Sequence, residues 1–164
     1  MTLAKQLDSP IGRLRLVATD QGLSHLLFDQ QAGDDMGSDG DSAEADNHPV
    51  LAAATAQLEE YFAGQRQEFD IPLDLSGTEF QQAAWSALAE VPFGETRSYR
   101  QQAEAIGRPR AVRAIGAANG RNPVPIVLPC HRIVGSDGSL TGYGGGLPIK
   151  EFLLDHEQAQ LHKH

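Results

Sequence analysis

The sequence predicts an α+β protein in two parts, a small α/β lobe over residues 1–77 and a mostly helical C-terminal domain over residues 78–164. Two patterns carry this expectation. Apolar residues alternate with polar ones before residue 29, whereas they recur at helical spacing after Thr78. Charge divides at the same place. Residues 1–77 hold four basic and fourteen acidic side chains, and residues 78–164 hold nine and eight.

The elements follow in order. Residues 2–8 alternate loosely, Ser9-Pro10-Ile11-Gly12 turns, and Arg13 to Ala18 has the period of a half-buried strand. Asp20-Gln21-Gly22 turns again into a third strand, Leu23 to Phe28, completing an antiparallel meander. Residues 29–47 contain six Asp, one Glu and no basic residue, the composition of a mobile acidic loop. His48-Pro49 opens a helix with Leu51, Leu58, Tyr61 and Phe62 on one side, ending at Ala63-Gly64. Glu68 to Leu73 alternates as a short edge strand, the position where Pro72 is tolerated.

Thr78 followed by Gln81 forms a capping-box signature for a helix that places Phe80, Ala84, Trp85 and Leu88 together and stops before Pro92. Ser98 caps a second helix reaching Ile106, broken by Gly107. Pro109 suits the first turn of a third, running to Asn119 with Val112, Ile115 and Gly116 inward. Two short helices with a Gly-containing connection, and Arg110 and Arg113 near the start of the second, fit a helix-turn-helix. Gly135 to Gly142 suggests a hairpin around Ser136-Asp137-Gly138, and Gly142 to Gly146 a glycine-rich loop. Pro148 starts a last helix with Ile149, Phe152 and Leu153 inward and Glu157 near its end.

Composition narrows the function. No run of about 18 apolar residues is present to span a bilayer. The first residues carry no apolar signal segment, and a single cysteine cannot close an intramolecular disulfide, so a cytoplasmic location is expected. The net charge of −9 speaks against nucleic acid, yet residues 95–135 hold seven arginines, no lysine and two glutamates. An arginine-only segment in an acidic protein marks a local phosphate-facing surface. Neither a dinucleotide-binding nor a phosphate-loop glycine motif occurs.

The chemistry concentrates at Pro129-Cys130-His131-Arg132-Ile133-Val134, where the only cysteine is followed by histidine and arginine. A lone cysteine more often fills core space, and Ile126-Val127-Leu128 reads equally as a buried strand ending on it. The neighbouring Asn122-Pro123-Val124-Pro125 turn and the adjacent imidazole favour instead a soft nucleophile held in rigid backbone.

Residues 76–158 closely resemble the O6-alkylguanine-DNA alkyltransferases, also called methylated-DNA–protein-cysteine methyltransferases. The resemblance rests on Phe80-Gln81 through Trp85, Pro92 through Tyr99, Ala111 through Gly116, Asn122 through Pro125, Pro129 through Arg132 and Gly142 through Leu147, in the family's order. It implies a ribonuclease-H-like N-terminal lobe and a winged-helix-like helix-turn-helix in the C-terminal domain, which binds DNA and transfers the alkyl group. It implies Cys130 as acceptor, His131 as base acting through a water, Glu157 orienting His131, Asn122 holding the turn and Tyr99 donating a proton to the departing base. DNA contacts fall on Tyr99, Arg110, Arg113, Ala114 and Arg132, with Arg113 replacing a flipped base from the minor groove. The backbone of Cys130, with Ile133, Tyr143, Gly144 and Gly145, would line the base pocket. Some relatives carry a hydroxyl residue where this chain has Gly144, which implies a roomier pocket.

The partner so implied is double-stranded DNA carrying O6-alkylguanine, with O4-methylthymine left open as a lesion. Neither a cofactor nor a metal is expected, because the N-terminal lobe lacks cysteines and His25 and His48 lack partners at ligand spacing. A monomer is expected, with cooperative assembly on DNA left open. Three other readings compete: a non-catalytic binder of alkylated DNA, against which Cys130 speaks; a helix-turn-helix regulator, for which −9 is a poor charge; and a cysteine hydrolase, which would want its histidine distant in sequence and not adjacent.

Overall fold

The computed structural model describes residues 2–28, 47–140, 143 and 146–161. All but Asn47 of the expected acidic loop, together with Gly144 and Gly145, lie outside the described residues. The chain divides into two compact units, residues 1–76 and 77–164, with a mixed α+β content.

In the first unit, β1 (Leu3–Ser9), β2 (Gly12–Ala18) and β3 (Leu23–Phe28) form an antiparallel sheet in the order β1-β2-β3. Register is set by the tight turn that pairs Ser9 with Gly12 and carries through to Leu3 opposite Ala18. Leu14, Leu16 and Ala18 on β2 join Leu23, Leu26 and Phe28 on β3 as buried residues. Helix α1 (Pro49–Phe62) meets all three strands, and it buries Val50, Leu51, Ala54, Leu58 and Tyr61. Each fully buried leucine here contributes roughly 1.5–3 kcal/mol.

The edge strand expected over residues 68–73 is reduced to a single parallel bridge between Leu73 and Leu23. Leu23 donates to the Pro72 carbonyl at 2.8 Å and Asp74 donates back to Leu23 at 2.9 Å. Pro72 has no N–H to extend a ladder, so pairing stops there. Gly22 is needed at this approach, because a Cβ there would lie 2.7 Å from the Pro72 carbonyl oxygen.

The second unit is mostly helical: α2 (Glu79–Ala89), α3 (Tyr99–Ala105), α4 (Val112–Gly120) and α5 (Leu147–Leu161). The Thr78–Gln81 capping box forms, and Ser98 with Gln101 makes a second. Helix α4 begins at Val112 instead of the Pro109 turn. Ala111 donates to the Arg108 carbonyl at 2.9 Å, closing a turn in which Pro109 occupies the position its fixed φ favours. On α4 Ile115 is buried as expected, Gly116 is half-buried and Val112 is exposed.

Ala84, Ala103, Ile115 and Ala118 form a core joining α2, α3 and α4. Two polar ties register these helices. Trp85 Nε1 donates to the Ala118 carbonyl at 2.8 Å. The buried amides of Gln102 and Asn119 exchange hydrogen bonds at 2.9 and 2.8 Å, and Gln102 also donates to Ala84 O at 3.0 Å. A two-residue parallel ladder then joins β4 (Arg97–Ser98) to β5 (Ile133–Val134). It fixes the start of α3 beside the chain that leaves Cys130.

Residues 135–139 close a turn, with Gly135 donating to Ser139 O at 2.9 Å, but β5 has no antiparallel partner among the described residues. Helix α5 buries Lys150, Leu153 and Glu157. Phe152, expected inward, is exposed and stacks on His156 at 6.0 Å. The inward stripe runs through 150, 153 and 157, a quarter-turn from the expected one, because two charged groups on α5 bond to the Cys130 segment.

The amide pair generates a prediction. Gln102→Leu leaves the buried Asn119 side chain without its partner and removes the side-chain bond to the Ala84 carbonyl, for a loss of about 1–3 kcal/mol in urea unfolding. Arg113→Ala, on the exposed side of α4, is the control and shifts stability by less than about 0.5 kcal/mol. Equal midpoints for the two variants contradict a structural role for the pair.

Candidate active site

Two consecutive constraints deliver Cys130. The first is the turn after α4. Val124 N–H donates to Asn122 Oδ1 at 3.0 Å, and Asn122 Nδ2 donates to the Leu128 carbonyl at 2.8 Å, so one amide clamps both ends of the loop. Leu128 N–H closes onto Val124 O at 3.0 Å. To make that closure Ile126 adopts φ 77°, a left-handed conformation that costs a β-branched residue about 1–2 kcal/mol. The buried strand considered for residues 126–128 is therefore a strained turn. The second constraint is Pro129, whose backbone lets Cys130 N–H donate to Leu128 O at 2.8 Å.

Cys130, His131 and Arg132 form one turn of 3₁₀ helix, and all three are buried, with Cys130 7 % exposed and His131 fully enclosed. Short 3₁₀ turns point successive side chains about 120° apart. His131 Nε2 meets Glu157 Oε2 at 2.7 Å. With the Nε2 proton directed at the carboxylate, the neutral ring carries its lone pair on Nδ1, which is buried with no protein hydrogen-bond partner. That nitrogen is a free base.

Glu157, 1 % exposed, is held by Gly94 as well. Gly94 N–H donates to Glu157 Oε1 at 3.2 Å, while Gln158 Nε2 donates to the Gly94 carbonyl at 2.6 Å. Glycine is favoured at 94 by its backbone, whose φ is +80°. A Cβ there would also run into the exposed Leu161 side chain and push it aside.

Arg132, expected on a DNA-binding surface, is internal instead. Its Nε and Nη2 donate to Glu157 Oε1 and Oε2 at 2.9 and 3.0 Å, and Nη1 donates to Val91 O at 2.7 Å. The guanidinium lies 5.6 Å from the centre of the Phe93 ring. Burial among these acceptors leaves it no face for an outside phosphate.

The electrostatics follow from burial. Burial pushes the Cys130 thiol up to about 11, against the opposing pull of the Asn122 side chain and the positive charge of Lys150. Burial lowers His131, and the hydrogen bond and charge of Glu157 oppose that fall. Burial alone would raise Glu157; the bonds and charges of His131 and Arg132 outweigh it and hold the carboxyl well below its usual range. The resting thiol is thus neutral and needs a base to become a nucleophile.

Sequence reasoning missed Lys150. It is fully buried, donates to the Ile133 carbonyl at 2.5 Å and lies 6.0 Å from the Tyr99 ring centre; burial lowers it and Cys130 opposes that shift. Its spacing of three and seven from Leu153 and Glu157 was the available signal. Tyr99, at the first position of α3, packs against the α2–α4 core, and Ile133 is buried in β5. Arg110, Arg113 and Ala114 are exposed. A Cβ on Gly116 or Gly120 would meet open space, so no internal packing accounts for these glycines. Among the described residues no group of three or more His, Cys, Asp or Glu stands close enough to hold a metal ion, and no helix is long and apolar enough to cross a membrane.

Comparison with known proteins gives matches across both units. Residues 79–159 match the family described as 6-O-methylguanine DNA methyltransferase, DNA binding domain, and residues 3–75 its ribonuclease-like domain. A methylated-DNA–protein-cysteine methyltransferase of Methanosarcina barkeri is 48% identical, over 94% of this chain and 96% of that one. One from Mycolicibacterium paratuberculosis is 49% identical, over 94% and 91%. The crystal structure of Mycobacterium tuberculosis OGT in complex with DNA is 44% identical and superposes with a TM-score of 0.85, over 96% of this chain and 93% of that one.

Two outcomes test the site. Glu157 has a folded value below that of an unfolded glutamate, so its stabilisation is present above roughly pH 4.3 and drains away as pH falls. Glu157→Gln should therefore cost about 3–5 kcal/mol at pH 7, with the gap to the parent narrowing below pH 4 in chemical denaturation. Gly94→Ala lowers the melting temperature, and adding Leu161→Ala recovers only part of the loss, because the left-handed φ remains. Full recovery means that backbone conformation at 94 is not limiting.

Proposed function

We propose that this chain, which belongs to the 6-O-methylguanine DNA methyltransferase family, repairs DNA by moving an alkyl group from the O6 atom of guanine to Cys130, once per molecule. The observation that carries the reading is a buried thiol next to a histidine whose Nε2 is committed to Glu157 and whose Nδ1 has no protein partner.

The reaction balances as follows. His131 takes the thiol proton at Nδ1 through a bridging water, since a ring adjacent in sequence does not fold back onto its neighbour's sulfur. The sulfur electron pair forms an S–C bond to the alkyl carbon as the C–O6 bond breaks, leaving its electrons on the base. Tyr99 gives its phenolic proton to the departing guanine, which leaves neutral, and the imidazolium proton later returns to the phenolate through solvent. Glu157 orients His131 and stabilises the imidazolium. A thioether has no leaving route, so the acceptor is spent.

Access to O6 inside a duplex requires that the nucleotide be turned out of the stack. The exposed side of α4 suits this task. Arg113 stands ready to fill the vacated place and Arg110 to meet a phosphate, while Ala114 and the open glycines allow backbone to come close to a minor groove. In this reading the backbone of Cys130, with Ile133 and Tyr143, lines part of the base pocket. Gly144 and Gly145 complete it in this reading. The protein acts as a monomer.

Intact-mass spectrometry after mixing with an O6-methylguanine duplex should show one added methyl group, mapped to Cys130, at one equivalent per protein. Cys130→Ala should keep DNA binding and lose transfer. More than one turnover, or methyl at another residue, contradicts the reading. Arg113→Ala should slow transfer from duplex DNA by at least about tenfold while leaving reaction with the free base O6-benzylguanine near the parent rate. Equal slowing of both substrates argues against a role in base extrusion.

A further inference from the structure

We propose that Arg132 is a positioning residue for alkyl transfer: it fixes the plane of the Glu157 carboxylate against His131 and balances its charge, so that the imidazole rests neutral. The inference builds on the reading of His131 as the base. Four N–H groups converge on Glu157. Gly94 N and Arg132 Nε serve Oε1 at 3.2 and 2.9 Å, and His131 Nε2 and Arg132 Nη2 serve Oε2 at 2.7 and 3.0 Å. Two of the four come from one rigid fork, whose planarity dictates the orientation of the carboxylate. The fork is itself anchored by the Val91 carbonyl at 2.7 Å and by the Phe93 ring.

Charge makes the same point. A buried carboxylate facing an imidazole with no other cation would draw a second proton onto the ring, because only imidazolium would neutralise it. A ring protonated at Nδ1 cannot accept the thiol proton. With Arg132 bound bidentately, the carboxylate is neutralised before His131 titrates, and the Nδ1 lone pair stays open. The charged and titratable groups around His131 are Glu157 and Lys150 from α5, and Cys130 and Arg132 from its own turn. Of these only Glu157 favours imidazolium; Arg132 and Lys150 oppose it. Burial of Arg132, at 6 % exposure, removes it from any outside contact.

The test compares Arg132→Gln and Arg132→Lys with the parent, measuring single-turnover transfer from an O6-methylguanine duplex between pH 5 and 9, together with duplex affinity. Arg132→Gln is expected to transfer at least about tenfold more slowly at neutral pH. Its acid limb should move up by about one pH unit, at unchanged duplex affinity. Arg132→Lys keeps the charge without the fork, so its acid limb should stay in place while its plateau falls. This second variant decides the matter if Arg132→Gln does not fold. A folded Arg132→Gln that slows by one factor at every pH overturns the proposal, as does Arg132→Lys with the parent rate throughout. Loss of duplex affinity with normal reaction of free O6-benzylguanine returns Arg132 to a DNA contact and also overturns it. A parent protein that transfers nothing sinks the proposed function instead.

Discussion

The Glu157 carboxylate is the point on which the second unit converges. A charge enclosed to this degree costs several kcal/mol unless it is fully matched, and removing one partner leaves the others stranded. Its partners come from separate stretches of chain. Gly94 belongs to the turn after α2, His131 and Arg132 to the 3₁₀ turn carrying the thiol, and Glu157 to the last helix. One carboxylate therefore fixes the distance between the turn that follows α2 and the Cys130 turn. It also selects the imidazole tautomer. Structural clamp and chemical orientation are the same set of hydrogen bonds.

The nucleophile itself is positioned by backbone. Asn122 spans its loop from Val124 to Leu128, and Leu128 O accepts from both the Asn122 amide and Cys130 N–H. Ile126 is held in a conformation it would not choose, which a flexible loop could not impose. Rigidity of this kind suits an acceptor that acts once, since nothing has to move to regenerate it. The β4–β5 ladder extends the same rigidity to Ser98, the cap of α3, and so to Tyr99.

An acidic protein that binds a polyanion needs its positive charge localised. The exposed arginines at 108, 110 and 113 near the start of α4 are the ones proposed for this, whereas Arg132 is buried. Charge counting along the chain cannot tell the two apart. Only the direction in which a guanidinium is taken up, by solvent or by a buried carboxylate, separates a phosphate contact from an internal tie.

Much was decided by local chemistry, and so was legible in the sequence. Turn residues and period-2 alternation placed the meander; Thr78 with Gln81 and Ser98 placed two helix starts; and the Cys130-His131 pair behind the Asn122 turn pointed to the nucleophile. These signals depend on residues within a few positions of one another, where backbone sterics and capping operate. The rest depended on partners far away in the chain. Arg132 read as a surface cation because its ligand is 25 residues on, and Lys150 drew no reading because nothing local shows that its ammonium meets the Ile133 carbonyl. Phe152 read as core because helical spacing gives the period of a buried stripe but not its phase, which on α5 is set by those two charged contacts. Ile126 carried no warning at all, for its left-handed backbone is imposed by the closure of the loop around it. Sequence pointed to the residues proposed to carry the chemistry; tertiary structure decided which charges are buried with one another, because desolvation is a property of the folded surroundings and not of the residue.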